Sequence, residues 1–254
     1  MTGITNINIY GEVKVDRVKT GIAGLDNIIE GGLPKNSITL VSGPPGGGKS
    51  IFCFQFLYEG IKNGEKCLFL TLDKQVDGIL TQANKLGFNF RPAIEKQLAK
   101  FLYLNINKKF VYETMTNEIL SGKYDRIVLD SITPLSEMPI FIRDTGETGF
   151  DSNTINEYDL PSGINLPTRR LHLSYIMSTL ESTKSTSVIT SELPLGSSLL
   201  SRDGISEFLA DGVVSINFDP TMDRRKLTVM KMRNTKHTLK PQNIIIESGG
   251  IKLI

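Results

Sequence analysis

Four runs of the chain, residues 38–42, 67–72, 126–130 and 187–191, are apolar apart from Ser and Thr and the charged ends Arg126 and Asp130, with almost no alternation. A strand with one wet face alternates with period two, so unbroken runs of this length predict strands covered on both faces, as in a parallel sheet between layers of helices. The helices are predicted by a second rhythm. Val76, Ile79, Leu80 and Ala83 recur at i, i+3, i+4 and i+7, and Leu173, Ile176, Met177 and Leu180 do the same, so each segment carries one apolar stripe to lay on a sheet. Past Glu192 the rhythm changes again: residues 212–218, 226–232, 243–247 and 251–254 read as strands joined by short polar turns. The expected fold is α/β, three layers about a mostly parallel central sheet that ends in an antiparallel meander at its C-terminal edge.

A chain of 254 residues is long enough for one domain with a sizeable core, and residues 1–254 are expected to form one, without internal repeats. The first 16 residues read as an N-terminal arm. Residues 134–168, rich in Gly, Pro, Asp, Asn and Thr and poor in periodicity, read as a loop insertion. Lys and Arg number 29 against 27 Asp and Glu, so the net charge of +2 exerts no overall pull on nucleic acid or an anionic membrane, and any polyanion has to be held by a local site. No apolar run approaches the roughly 18 residues of a membrane span, and no basic-then-apolar leader opens the chain, so a cytoplasmic protein is expected. Cys53 and Cys67, each inside an apolar run, read as buried free thiols rather than a disulfide.

The local site is written in one octapeptide. Gly43-Pro44-Pro45-Gly46-Gly47-Gly48-Lys49-Ser50 satisfies G-x-x-x-x-G-K-[ST] at every fixed position and lies between a predicted strand and a helical pattern beginning at Ile51. Glycines let successive backbone N–H groups turn inward around a phosphate, and the helix start adds the positive end of its dipole. Lys49 is then expected to neutralise the β and γ phosphates and the Ser50 hydroxyl to ligate Mg²⁺. Such a loop needs a carboxylate from a neighbouring strand end to hold the metal through water. Asp130, closing the run Arg126-Ile127-Val128-Leu129-Asp130, is that candidate; capping the following turn is its plainer alternative.

With these residues in view, the chain resembles the RecA-type P-loop ATPases, and within them the KaiC-like branch. The resemblance is carried by Thr20-Gly21-Ile22-Ala23-Gly24-Leu25-Asp26, Gly31-Gly32-Leu33-Pro34, the P-loop, Gln55-Phe56-Leu57-Tyr58-Glu59-Gly60, Leu129-Asp130-Ser131, Thr190-Ser191-Glu192, residues 207–213, and Lys231-Met232-Arg233 with His237. It implies a RecA-like fold and a ring, usually a hexamer, with ATP held between neighbouring chains. One chain contributes Gly43, Pro44, Pro45, Gly46, Gly47, Gly48, Lys49, Ser50 and Ile51. The next contributes the K-x-R pair Lys231 and Arg233, with Met232, Thr235 and His237 lining the same nucleotide. Residues 231 and 233 alternate on a strand and so share a face, as the role requires. A solvated basic edge that discourages strand pairing is the alternative for Lys231, Arg233 and Lys236.

The sequence also departs from that family. Where the strand after the P-loop helix typically ends in two glutamates, one of them orienting the attacking water, this chain reads Leu72-Asp73-Lys74-Gln75. Asp73 keeps a carboxylate one methylene shorter and is the candidate catalytic residue, while Lys74 is placed to pair with it and lower its basicity. Glu192 is a fallback polar residue near the γ-phosphate, or else hydrogen-bonds the loop that follows it. Glu207 and Phe208 fall where KaiC phosphorylates a Ser-Thr pair, so autokinase activity is not expected. The two loops that bind DNA in recombinases of the superfamily correspond to residues 134–168 and 193–205; the first is acidic on balance and the second sets Arg202 against Asp203, so together they lean acidic. The expected function is a ring-forming ATPase, binding Mg-ATP and hydrolysing it slowly, used as a regulatory or assembly switch toward a protein partner. A DNA-binding recombinase paralogue and a non-hydrolysing ATP-gated scaffold are the alternatives.

Overall fold

The computed structural model describes residues 15–108, 111–137 and 165–254, without the side chains of residues 165–168. The expected arm lies outside the described residues except for its last two, and the expected loop insertion does so over residues 138–164. In chain order, a two-stranded ribbon of β1 (Arg17–Val18) and β2 (Leu33–Pro34) encloses α1 (Leu25–Ile28). Then follow β3 (Ile38–Gly43), α2 (Lys49–Lys62), β4 (Cys67–Thr71), α3 (Val76–Lys85), α4 (Arg91–Glu95), β5 (Ala99–Tyr103), α5 (Val111–Ser121), β6 (Arg126–Asp130) and α6 (Thr133–Glu137). The chain continues with α7 (Asn165–Ser182), β7 (Thr186–Glu192), α8 (Ser206–Leu209) and strands β8 (Gly212–Asp219), β9 (Arg224–Met232), β10 (Gln242–Glu247) and β11 (Gly250–Leu253).

Among the described residues the main sheet has nine strands in the order β11-β10-β9-β8-β3-β7-β6-β4-β5. Pairings from β8 to β5 are parallel, and those from β8 outward to β11 are antiparallel, as the change of rhythm after Glu192 predicts. These four runs form β3, β4, β6 and β7, whose side chains, the polar ones included, are buried on both faces apart from Glu192 at the end of β7. On one face Val41, Phe69, Val128, Val188 and Val214 pack against Phe52 and Phe56 of α2 and Ile79 and Ala83 of α3. On the other, Leu40, Leu70, Ile127 and Ile189 meet Met115 and Ile119 of α5 and the Leu173, Ile176, Met177, Leu180 stripe of α7.

The structure adds elements the hydrophobic pattern did not predict. Edge strand β5 is only half-buried beyond Ala99, which blurs its apolar signal. The expected loop over residues 134–168 is shorter than its composition suggests: Leu135, fully buried beside Ile132, folds the first residues into α6, and α7 already begins at Asn165. Two buried polar side chains tie the layers together. Arg126, at the foot of β6, pairs with Glu65 and donates to Lys19 O and Phe56 O, both at 2.7 Å. Gln55 on α2 donates to Gly21 O and Ile251 O at 3.2 and 3.0 Å and accepts from the Ile251 N–H at 2.7 Å.

For the site, the decisive feature is a reversal in the order of strands. The chain leaves β3 for β4, then returns to insert β6 and β7 between them. In open α/β sheets such a switch point opens a crevice at the carboxyl ends of the strands, where ligands bind.

Candidate functional site

The P-loop arches from the end of β3 to the start of α2, in that crevice. Gly43 is required by close approach, because a Cβ there would lie 2.1 Å from the Ile216 carbonyl of β8. Gly46 has open space around its Cα but a φ of 79°, so its backbone rather than its surroundings demands glycine. The buried Lys49 ammonium donates to Gly43 O and Pro44 O at 2.9 and 3.1 Å, folded under the arch. Burial lowers its pKa, against the opposing pull of Glu192 and Asp130. A cation satisfied only by two loop carbonyls, beneath glycines that leave room for a ligand, fits a phosphate group as its stronger partner.

The Ser50 hydroxyl donates to Asp130 Oδ2 at 2.7 Å, and the Thr190 hydroxyl donates to the other oxygen of the same carboxylate. The expected metal pair is therefore brought together from opposite ends of an 80-residue separation. A hydroxyl beside an oriented carboxylate is a hard-oxygen set that fits Mg²⁺. Thr190 was visible in the sequence only as part of a motif; nothing in residue spacing says that β7 lies next to β6.

Asp73 stands at the rim, accepting from the Ser131 hydroxyl at 3.4 Å. The expected pairing with Lys74 is corrected: no ion pair joins them, and the Asp73 carboxyl is pushed up to about 6 by partial burial and by the charges of Glu192 and Asp130, against the lowering effects of Ser131 and Lys74. Its basicity is raised, not lowered. Glu192 uses its backbone rather than its carboxylate to hold neighbouring chain, donating its N–H to Thr133 Oγ1 at 3.0 Å.

The other expected nucleotide contacts are not brought to this P-loop. Met232 pairs with Gly212, which pairs with Thr39 at the far end of β3, four residues from Gly43 or about 13 Å along the sheet. Met232 faces the α2 side of the sheet, so Lys231 and Arg233, alternating with it, face the other. There the Lys231 ammonium donates to Glu207 O at 3.1 Å and to Ala210 O, and Arg233 pairs with Asp211 at 3.0 Å. Burial and the nearby Arg233 lower the pKa of Lys231. Thr235 accepts from Arg17, and His237 lies 3.1 Å from Thr235 O. Arg202, the cation of the second loop, pairs with Glu137 at 3.3 Å, while Asp203 caps the start of α8 through the N–H groups of Ile205 and Ser206.

A P-loop at the switch point of a parallel sheet, with a hydroxyl and a strand-end carboxylate beside it and an antiparallel edge beyond, defines a RecA-type P-loop ATPase fold. A family model described as "ATPase: KaiC" matches residues 18–146 and 165–254, and the chain belongs to this KaiC ATPase family. It is 30% identical over 244 residues to the UPF0273 protein MJ1359 of Methanocaldococcus jannaschii, covering 92% of this chain and 95% of that one. It is 29% identical over 253 residues to the circadian clock oscillator protein KaiC of Parathermosynechococcus lividus, covering 94% of this chain and 42% of KaiC. The crystal structure of the KaiC-like protein PH0186 from Pyrococcus horikoshii OT3 superposes with a TM-score of 0.76 at 26% identity, over 95% of this chain and 100% of that one. No helix among the described residues is long and apolar enough to cross a membrane.

Proposed function

We propose that the protein is a single-domain, cytoplasmic ATPase that binds Mg-ATP between the subunits of a ring, a hexamer by family likeness, and serves as a nucleotide-dependent switch for a protein partner. The observation that carries this reading is a division within the chain. It builds a P-loop with Lys49, Ser50 and Asp130 in place, yet holds its K-x-R cations at the opposite end and on the opposite face of the sheet. They cannot serve their own P-loop, so a second copy is the natural recipient, and hydrolysis then depends on assembly.

In the assembled site the arch residues from Gly43 to Gly48 receive the phosphates, Lys49 exchanges its two carbonyl partners for phosphate oxygens, and Ile51 lies in the first turn of α2. Ser50 and Asp130 hold Mg²⁺, which when bound offsets phosphate charge. Lys231 and Arg233 of the neighbour approach the γ-phosphate, with Met232, Thr235 and His237 beside the same nucleotide. Asp73, the short carboxylate at the rim, orients water, and turnover is slow. A DNA-binding role is less favoured, since Arg202 is already paired with Glu137.

The test is the size of the protein in solution with and without Mg-ATP, together with steady-state hydrolysis. Nucleotide-dependent assembly and turnover abolished by Lys49→Ala are expected; a monomer unchanged by nucleotide at micromolar concentration overturns the shared-site reading.

A further inference from the structure

Across the mouth of the sheet the strands stand in the order β3, β7, β6, β4. Moving outward from the P-loop, the strand ends present Gly43, then Glu192, then Asp130, and finally Asp73 two residues beyond β4. Gly43 and Glu192 are paired residues of adjacent parallel strands, whose spacing is about 4.8 Å, whereas β4 lies three strands away from β3. Val188 packs beneath α2, and Thr190 and Glu192 share its parity and so its face. Thr190 bears this out by reaching Asp130. Glu192, one step further along, is directed to the space in front of Lys49 and Ser50.

Its main chain is fixed and its side chain is not engaged. The Glu192 N–H is held by Thr133 Oγ1 and the Leu193 N–H by Gly43 O, both at 3.0 Å. The carboxylate is exposed and forms no hydrogen bond or ion pair with the described residues, although its charge acts on Lys49 more strongly than that of Asp130 or Asp73. Asp73 is shorter and already accepts from Ser131, and Lys74 offers no acceptor.

We propose that Glu192 is the carboxylate that takes the proton from the attacking water when the γ-phosphate of bound ATP is hydrolysed. The water oxygen bonds to the γ-phosphorus, and the bond from that phosphorus to the β,γ-bridging oxygen breaks with its electron pair left on ADP. The water's proton passes to Glu192 and from there to solvent or the released phosphate. Asp73 orients the same water from the far side of the mouth.

The inference rests on the ATPase reading above, and kinetics of the full-length protein with Mg-ATP separate the two. Glu192→Gln lowers kcat by about 100-fold, the scale of a general base, and leaves the KM for ATP and the affinity for a fluorescent ADP analogue within about threefold. Glu192→Asp recovers part of kcat, and Asp73→Asn costs less than Glu192→Gln. The melting temperature of Glu192→Gln stays at the wild-type value, because the exposed side chain has no contact to lose. A Glu192→Gln protein that keeps more than a third of wild-type kcat overturns the proposal, as does one whose loss is all in nucleotide affinity. Wild-type protein without Lys49-dependent turnover instead overturns the ATPase reading itself.

Discussion

His172 shows how far burial alone governs a single side chain in this protein. It lies on α7 against Tyr112, ring centroids 4.2 Å apart, with its Nε2 buried and without a hydrogen-bond partner among the described residues. Burial lowers its pKa from 6.5 to about 4. The folded state thus binds the proton less readily than the unfolded one, so stability is complete above pH 6.5 and is lost as the pH falls from there toward 4. Between about pH 7.5 and pH 5 that loss is about 2 kcal/mol, at 1.36 kcal/mol for each pH unit below 6.5. Urea unfolding of wild type and His172→Phe at both values checks it: the variant, which keeps an aromatic ring against Tyr112, should be flatter by that amount.

Between elements, buried polar side chains add specific ties to the apolar packing of helices on the sheet. Gln55 joins α2 to the segment before α1 and to β11, which are far apart in sequence. Gln55→Leu keeps the volume but strands the Ile251 N–H and two carbonyls, a loss of about 3–9 kcal/mol at roughly 1–3 kcal/mol for each unsatisfied group. Hydrogen exchange should speed up in β11 and around Gly21 before it does in β4 or β6. The same principle operates at α8, where Lys231 satisfies the carbonyls of Glu207 and Ala210 at the end of the helix and Arg233 holds Asp211. Asp211 also accepts from the Ile38 N–H at 3.0 Å, so the K-x-R pair braces the foot of β3 in its own chain.

At the scale of the whole molecule, the proposed shared site requires the P-loop of one chain and the K-x-R pair of another, because within one chain they lie on opposite faces of the sheet. A mixing experiment follows. Lys49→Ala lacks a working P-loop and Lys231→Ala combined with Arg233→Ala lacks the cations, so each is inactive alone. In rings assembled randomly from equal amounts, about a quarter of the interfaces pair an intact P-loop with intact cations, and activity should return to about that fraction of wild type. No recovery on mixing would mean that each site is completed within one chain. The near-neutral net charge of +2 also has an address at this scale. Cations cluster from Arg224 to Lys240 along the edge strands, while Asp73, Asp130 and Glu192 line the mouth of the sheet, so the proposed head-to-tail ring would set complementary charges against each other.

Local chemistry was readable from the sequence because it depends on neighbours in the chain. The P-loop and its glycines, the doubly buried strands, the stripes of α3 and α7 and the antiparallel C-terminal edge all follow from backbone geometry and from which side chains avoid water. Elements with weaker local signals escaped: β5 is a half-buried edge, and α6 is a single turn held by one buried leucine. The environment of each carboxylate was not readable either. Lys74 follows Asp73 in sequence, yet burial and the charges of two residues from other strands set the Asp73 pKa. Only the tertiary structure placed β7 beside the P-loop strand, bringing Glu192 level with Gly43, Thr190 onto Asp130, and the K-x-R pair away from its own phosphate site. Strand order is decided by how crossover helices pack on the two faces of the sheet, a long-range choice that no local spacing of residues encodes.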